Sequence, residues 1–289
     1  MTASANIAPG RTLDGYPLGR AEFRTLAAIM RADAGLNLPD HKVTFVHSRL
    51  VRRLRKLNLE SFAAYCAFIQ TPDGVEERRH LRSALTTNVT RFFREPHHFD
   101  HLRQALPPLI REARAGRKLR IWSAGCSSGQ EPYSIGLTAL AVEPHIASLD
   151  FRILATDLDP QMISAGERGH YREEDLADVP SSLRKRYFEP AADGAMRVAP
   201  ILGALVAFRQ LNLNGEWPMV GRFQAIFCRN VVIYFDEPTQ QTLWRRLAAT
   251  LEKDGPLYIG HSERVTGPAT ASLENDGLTT YRKTRSGAA

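Results

Sequence analysis

Leu119-Arg-Ile-Trp-Ser-Ala-Gly-Cys-Ser-Ser-Gly-Gln-Glu-Pro-Tyr-Ser134 decides the fold. A short apolar run (Leu119, Ile121, Trp122) gives way to small residues and glycines, and Pro132 then opens a helical pattern. That is the strand–loop–helix layout in which a sheet edge hands a ligand to a helix N-terminus. Gly125 and Gly129 are spaced G-x-x-x-G, which is neither the dinucleotide fingerprint nor a P-loop. Glu131 places a carboxylate where a phosphate would want none, so a positively charged ligand suits this loop. S-adenosylmethionine, with a sulfonium and an ammonium group, is such a ligand.

The chain of 289 residues has room for one large domain or two smaller ones, and 43% apolar with 24% charged residues is ordinary for a globular protein. No apolar run approaches the ~18–20 residues of a membrane helix. The N-terminus lacks the basic start and apolar stretch of a secretory signal. Cys66, Cys126 and Cys228 have neither CxxC nor zinc spacing, so reduced thiols in the cytoplasm and no metal are expected. The net charge of +7 points to an acidic partner. Much of it gathers in Lys42, Arg49, Arg52, Arg53, Arg55 and Lys56, a stretch without acids.

Residues 1–17 read as a loose leader and 18–91 as an all-α domain. Phe23, Leu26, Ala27, Met30 and Ala34 follow helical spacing with Gly35 as the stop. Val43, Val46, Leu50, Leu54 and Leu57 form a second stripe, Phe62, Tyr65, Cys66 and Ile69 a third, and 75–86 a weaker fourth. Beyond Pro107-Pro108 and the polar Arg111–Lys118 stretch, strand-like runs at 119–123, 151–156, 223–228 and 256–260 alternate with helices near 132–142 and 237–253. This alternation predicts a Rossmann-like, doubly wound α/β sheet over 92–289. A closing antiparallel strand is expected at 278–283, and 185–210, around Asp193-Gly194, reads as a small inserted β-subdomain.

Asp157 ends the second predicted strand, where an acid accepts hydrogen bonds from ribose hydroxyls; Asp159 is the better cap for the next helix. Thr86–Glu95, with Asn88, Thr90, two phenylalanines and two arginines, is an unusual composition for a linker. Phe227–Asp236 runs off another strand tip and carries Asn230 and Tyr234, while the Pro-Pro-Tyr motif of base amino-methylation is absent. The arginines near 49–56 lie opposite an apolar stripe without acids at i±4, a self-repulsion tolerated for a partner.

Thr86–Phe99, Trp122–Ser134, Ala155–Asp159, Leu211-Asn-Leu213, Phe227–Asp236 and Gly260-His-Ser-Glu263 together resemble the CheR family, the glutamate methyltransferases of chemotaxis receptors. The resemblance spans about 20–285. It implies a class I methyltransferase that moves a methyl group from S-adenosylmethionine to glutamate side chains on the cytoplasmic helical bundle of methyl-accepting chemotaxis receptors, leaving S-adenosylhomocysteine. It implies cofactor contacts at Asn88, Thr90, Arg94, Glu131, Asp157, Asn212, Leu213, Asn230 and Val231. Arg94, Asp157 and Tyr234 would lie nearest the transferred methyl, and Lys42, Arg49, Arg52, Arg53 and Arg55 would meet the receptor. The segment between Tyr187-Phe188 and Arg197-Val198 is a few residues shorter than in members that dock a receptor pentapeptide, which counts against that tether.

Glutamate is ionised at pH 7, so the chemistry needs no general base, and no His–carboxylate pair is evident in the sequence. Two rival readings follow from the same residues. The +7 charge would suit a nucleic-acid methyltransferase, although an aromatic and basic strand platform is missing. A non-catalytic cofactor sensor would keep the fold without the transfer.

Overall fold

A computed structural model describes residues 15–86, 88–192 and 194–284. The chain divides at 87/88 into two compact units. Residues 88–91, expected with the helical part, count with the larger unit. Most of the expected leader, 1–14, and Asp193 of the expected turn lie outside the described residues.

The smaller unit is four helices: α1 (Arg20–Ala34), α2 (Val43–Lys56), α3 (Phe62–Phe68) and α4 (Val75–Leu85). Gly35 stops α1 in the left-handed conformation, φ 70°, and Ser61 caps α3 by accepting the Ala64 amide. The stripes read from the sequence form its core: Phe23, Leu26, Met30, Val46, Leu50, Leu54, Phe62 and Tyr65 are buried.

In the larger unit α5 (Pro96–Arg114) precedes β1 (Leu119–Ala124), α6 (Gln130–Val142), β2 (Phe151–Asp157), α7 (Pro160–Arg168) and β3 (His170–Tyr171). Next come α8 (Ser181–Tyr187), β4 (Phe188–Pro190), β5 (Met196–Val198), the short α9 (Pro200–Gly203) and β6 (Val206–Gln210). They are followed by β7 (Ala225–Cys228), α10 (Glu237–Thr250), β8 (Pro256–Ile259), β9 (Leu273–Gly277) and β10 (Thr280–Lys283). The main sheet has the order β6-β2-β1-β7-β8-β10-β9. Its first five strands are parallel, and β10 runs antiparallel to β8 and β9. The chain therefore steps outward from β1 to β2 and β6, then returns on the other side of β1 as β7. That reversal is the switch point where open α/β sheets bind ligands.

Pro107 and Pro108 lie inside α5, a stretch to which the sequence reading assigned no element. Each removes an N–H and crowds the carbonyl four residues back. Both prolines, with Arg103 and Gln104, are exposed, so water takes the freed carbonyls. The buried stripe Phe99, Leu102, Leu106, Ile110 and Ala113 holds the helix in place. Residues 206–210 leave the expected β-subdomain and pair with β2 as β6. The small sheet is instead β3-β5-β4, which reaches back to His170 and ends at Val198. Finally, β10 is not the closing edge, because β9 pairs outside it.

Candidate functional site

The loop after β1 turns back over the sheet's carboxyl rim through three left-handed residues, Gly125 (φ 87°), Ser127 (φ 48°) and Gly129 (φ 99°). The amides of Gly125 and Cys126 both donate to the Thr156 carbonyl, at 2.8 and 2.9 Å. A Cβ on Gly125 would stand 2.4 Å from Cγ2 of Val231, so only glycine lets the loops after β1 and β7 approach this closely.

Asp157 closes β2 with its carboxylate among backbone amides: Oδ2 accepts from Ser127 N at 2.8 Å and Oδ1 from Asp159 N at 2.9 Å. Burial pushes its pKa up to about 6 against the pull of those amides. Asp159 caps α7 as expected, accepting from Gln161 N at 2.9 Å, and its other oxygen takes the Asn88 side-chain amide at 3.3 Å. The Ser127 hydroxyl donates to the Asn88 carbonyl at 3.1 Å. Asn88 and Asp157, 69 positions apart, thus meet around one serine.

Glu131 stands in the first turn of α6 and is buried. Its Oε1 accepts from the Ser123 hydroxyl at 2.7 Å, and its Oε2 from Nη1 of Arg229 at 3.1 Å. Burial raises the Glu131 pKa and the Arg229 charge opposes that rise. Arg229, buried at the end of β7, also pairs with Glu95 at 3.3 Å and donates to the Arg94 carbonyl. The Arg94 guanidinium donates to the Val89 carbonyl at 3.0 Å. Val89, Thr90, Arg91, Arg94, Glu95 and His261 line an open cavity of about 370 Å³.

The remaining predicted contacts follow the strand ends. Asn230 is left-handed, φ 58°, and its amide donates to Glu263 Oε2 at 3.0 Å, while the Val232 amide donates to Oε1 at 3.0 Å. Tyr234 ends the following 3₁₀ turn and is partly exposed. Leu211 N donates to the Asp157 carbonyl at 2.9 Å, which sets Asn212 and Leu213 directly after the tip of β2. Asn212 Oδ1 accepts from Asn214 N at 3.0 Å, and the Leu213 carbonyl accepts from Trp217 Nε1 at 3.2 Å and Arg246 at 2.6 Å.

In the helical unit Lys42, just before α2, and Arg49, Arg52 and Arg55 on it are exposed. Arg49 and Lys42 lie over the Phe45 ring, at 5.2 and 5.8 Å, and Arg55 over Tyr16 at 6.0 Å. Arg53 differs: its Nε donates to Glu77 at 2.9 Å, the buried Glu77 also accepts from Tyr65 Oη at 3.0 Å, and the fork closes through Nη2. The acid missing at i±4 comes from α4.

Sequence reasoning missed Arg229, Glu95, His98 and Glu263. The signal for Arg229 was present: a charge between Cys228 and Asn230, at the end of an apolar strand. The expectation of no His–carboxylate pair is also corrected. His98 Nδ1 lies 3.5 Å and His261 Nδ1 3.2 Å from Glu95. Burial, with Arg229 nearby, holds the His98 pKa down to about 3, so that imidazole stays neutral. Glu95, His97 and His98 are the described group whose polar atoms gather within 4.8 Å, but the Arg229 cation beside Glu95 opposes a metal ion there.

The rim fits S-adenosylmethionine by its own chemistry. The N-terminus of α6 offers amides to a carboxylate, the Asp157 carboxylate suits hydroxyls, and Glu131 with Glu95 outweighs the single Arg229 charge. No described helix is long and apolar enough to cross a membrane.

Comparison with known proteins identifies the family. Residues 88–281 match the family model described as CheR methyltransferase, SAM binding domain, and residues 21–86 match CheR methyltransferase, all-alpha domain. A probable chemotaxis protein methyltransferase of Rhizobium etli is 48% identical, the alignment covering 89% of this chain and 97% of that protein. Chemotaxis protein methyltransferase 2 of Pseudomonas aeruginosa is 40% identical over 91% of this chain and 92% of its own length. The chemotaxis protein methyltransferase of Escherichia coli is 40% identical over 86% of each chain. The chain belongs to the CheR methyltransferase family and is an S-adenosylmethionine-dependent methyltransferase.

Proposed function

We propose that this chain transfers the methyl group to glutamate side chains of methyl-accepting chemotaxis receptors, in their cytoplasmic helical bundle, as part of chemosensory adaptation. The products are glutamate methyl esters and S-adenosylhomocysteine. The observation that carries this reading is the placement of the Asp157 and Glu131 carboxylates beside one glycine-shaped loop, in a chain whose relatives are named chemotaxis protein methyltransferases.

When bound, S-adenosylmethionine supplies an electrophilic methyl group, and its passage to a carboxylate oxygen moves no proton. The acceptor glutamate, with an ordinary pKa of about 4.3, is already ionised. The site's residues therefore align and exclude water. Asp157 holds ribose hydroxyls, with Asn88, Asn212 and Leu213 closing the same side, and Asn230 and Val231 flank the loop opposite. Thr90 and Arg94 border the cavity at its open side, where Arg94 orients carboxylate oxygens and Tyr234 fixes the direction of attack. The neutral His98 is held away from proton chemistry by its burial.

The all-α domain, which ends at residue 87, carries receptor recognition through Lys42, Arg49, Arg52 and Arg55, which face an acidic surface, whereas Arg53 serves by anchoring α2. The reaction takes place in the cytoplasm, and the short link between β4 and β5 counts against a pentapeptide tether.

Incubation with tritiated donor and receptor-rich membranes tests the reading. Label released as methanol by mild base identifies an ester. Base-stable label, or label found in RNA instead, overturns it. With wild-type turnover and donor affinity in Arg94→Ala, the role given to Arg94 falls.

A further inference from the structure

Glu131 and Glu95 share one counter-charge. Arg229 spans them, donating to Glu131 at 3.1 Å, pairing with Glu95 at 3.3 Å and reaching the Arg94 carbonyl. Its side chain is 2% exposed, those of Glu131 and Glu95 11% and 12%. The guanidinium also packs 5.7 Å over the Phe99 ring. Glu95 Oε2, His98 Nδ1 and Arg229 Nε have no hydrogen-bond partner. With His98 neutral, the cluster of two carboxylates and one guanidinium carries one unbalanced negative charge, a burden on a buried site unless a cation offsets it.

We infer that Arg229 is a positioning residue for methyl transfer: it keeps Glu131 a carboxylate for the donor's ammonium group and ties it, through Glu95 and the Arg94 backbone, to the loop that bears Arg94. This rests on the reading of the rim as the donor site. The planar guanidinium suits the task because it donates to Glu131 and the Arg94 carbonyl while its charge also faces Glu95, which a lysine ammonium on a flexible stem does not do in a fixed geometry. Glu95 and Phe93 are both left-handed, φ 58° and 49°, so the backbone through Arg94 is bent where Arg229 grips it. A non-glycine residue in that region persists only where its surroundings hold it.

The ionisable groups around Glu131 are few. Arg229 comes from the end of β7, Glu95 and His98 from the start of α5, and Cys126 from the loop after β1. Cys228 lies on β7, and its thiol and that of Cys126 are pushed up by burial and stay neutral. Asp157 shares the rim, and His261 reaches Glu95 from its exposed side. Only Arg229 supplies a buried positive charge among them.

Calorimetric titration of the full chain with S-adenosylhomocysteine between about pH 5.5 and 7.5 tests this; in that range the ligand's α-ammonium, with an ordinary pKa of about 7.7–8.0, is retained. Wild-type affinity should rise with pH through the Asp157 transition near about 6. In Arg229→Gln that midpoint should move to higher pH, because Glu131 then holds its proton longer and adds its own transition to that of Asp157. Affinity at pH 7 should fall about tenfold or more, as for hydrogen bonds lost to a charged group. Adding Glu131→Gln to that variant should weaken binding no further than Glu131→Gln alone. Arg229→Lys should bring the midpoint back yet still bind about tenfold more weakly, having lost charged hydrogen bonds.

Wild-type affinity with an unmoved midpoint in Arg229→Gln, or losses that simply add in the double variant, overturns the assignment. If Arg229→Gln does not melt cooperatively, Arg229→Lys decides alone, and wild-type affinity there is equally fatal. Should the wild-type chain itself fail to bind S-adenosylhomocysteine, the donor reading fails first. Tight wild-type binding with indifferent variants removes only the role of Arg229.

Discussion

The Asp157 carboxylate accepts the Ser127 amide at 2.8 Å, joining the tip of β2 to the left-handed turn after β1. One side chain thereby shapes the loop after β1, with its charge held in a poorly solvated place.

That burial predicts opposite pH trends for folding and for binding. The folded pKa of about 6 lies above the unfolded value of 3.8, so the folded chain binds the extra proton between them. The ligand-free protein should lose stability as pH rises through that window. Donor affinity should instead strengthen as pH rises through about 6, since hydroxyls bond better to the ionised acid. Asp157→Asn should flatten both trends and weaken S-adenosylhomocysteine binding by about 10- to 100-fold, as for lost hydrogen bonds to a charge. Thermal melts and calorimetry across pH check it; a variant that titrates like wild type removes Asp157 from the site.

Gly125→Ala should damage the same loop without touching a polar group. The new methyl meets Cγ2 of Val231 at 2.4 Å in a conformation of φ 87°. A loss of about 1–3 kcal/mol in urea unfolding is expected from the strain. Adding Val231→Ala should recover part of it, which a purely conformational cost would not allow.

Arg53 and Glu77 should matter to folding rather than to receptor charge. Glu77 is 4% and Arg53 18% exposed, and Tyr65 shares the carboxylate. Removing one partner of a buried pair costs about 3–5 kcal/mol. Arg53→Ala should fall toward the lower figure because its guanidinium keeps some water. A change below about 0.5 kcal/mol, the usual range for an exposed residue, would return Arg53 to the docking face.

Arg49→Glu with Arg52→Glu should leave donor affinity intact and raise the KM for receptor about three- to tenfold at low salt. That range follows from exposed pairs worth about 0–1 kcal/mol each. The gap should narrow as ionic strength rises and the screening length falls below about 10 Å. Equal methylation by both proteins at low salt would remove α2 from recognition.

The Gly125–Gly129 spacing, Pro132 and the strand-like runs were enough to read a wound α/β sheet and its ligand rim, because strand period and turn chemistry are local properties. The helical stripes of the smaller unit were legible for the same reason. The helix through Pro107-Pro108 was not read from the sequence, since whether a proline is tolerated in a helix depends on which face meets water and which meets the core. Residues 206–210 carried a strand signal that could not name its sheet.

What the sequence determined by itself was the order of elements, the loop, and the acid at the tip of β2. What only the tertiary structure decided was who neutralises whom. Glu131 and Arg229 stand 98 positions apart, and Arg53 and Glu77 lie on different helices. Charge pairing acts through space over a few ångströms, a distance that spacing along the chain does not encode.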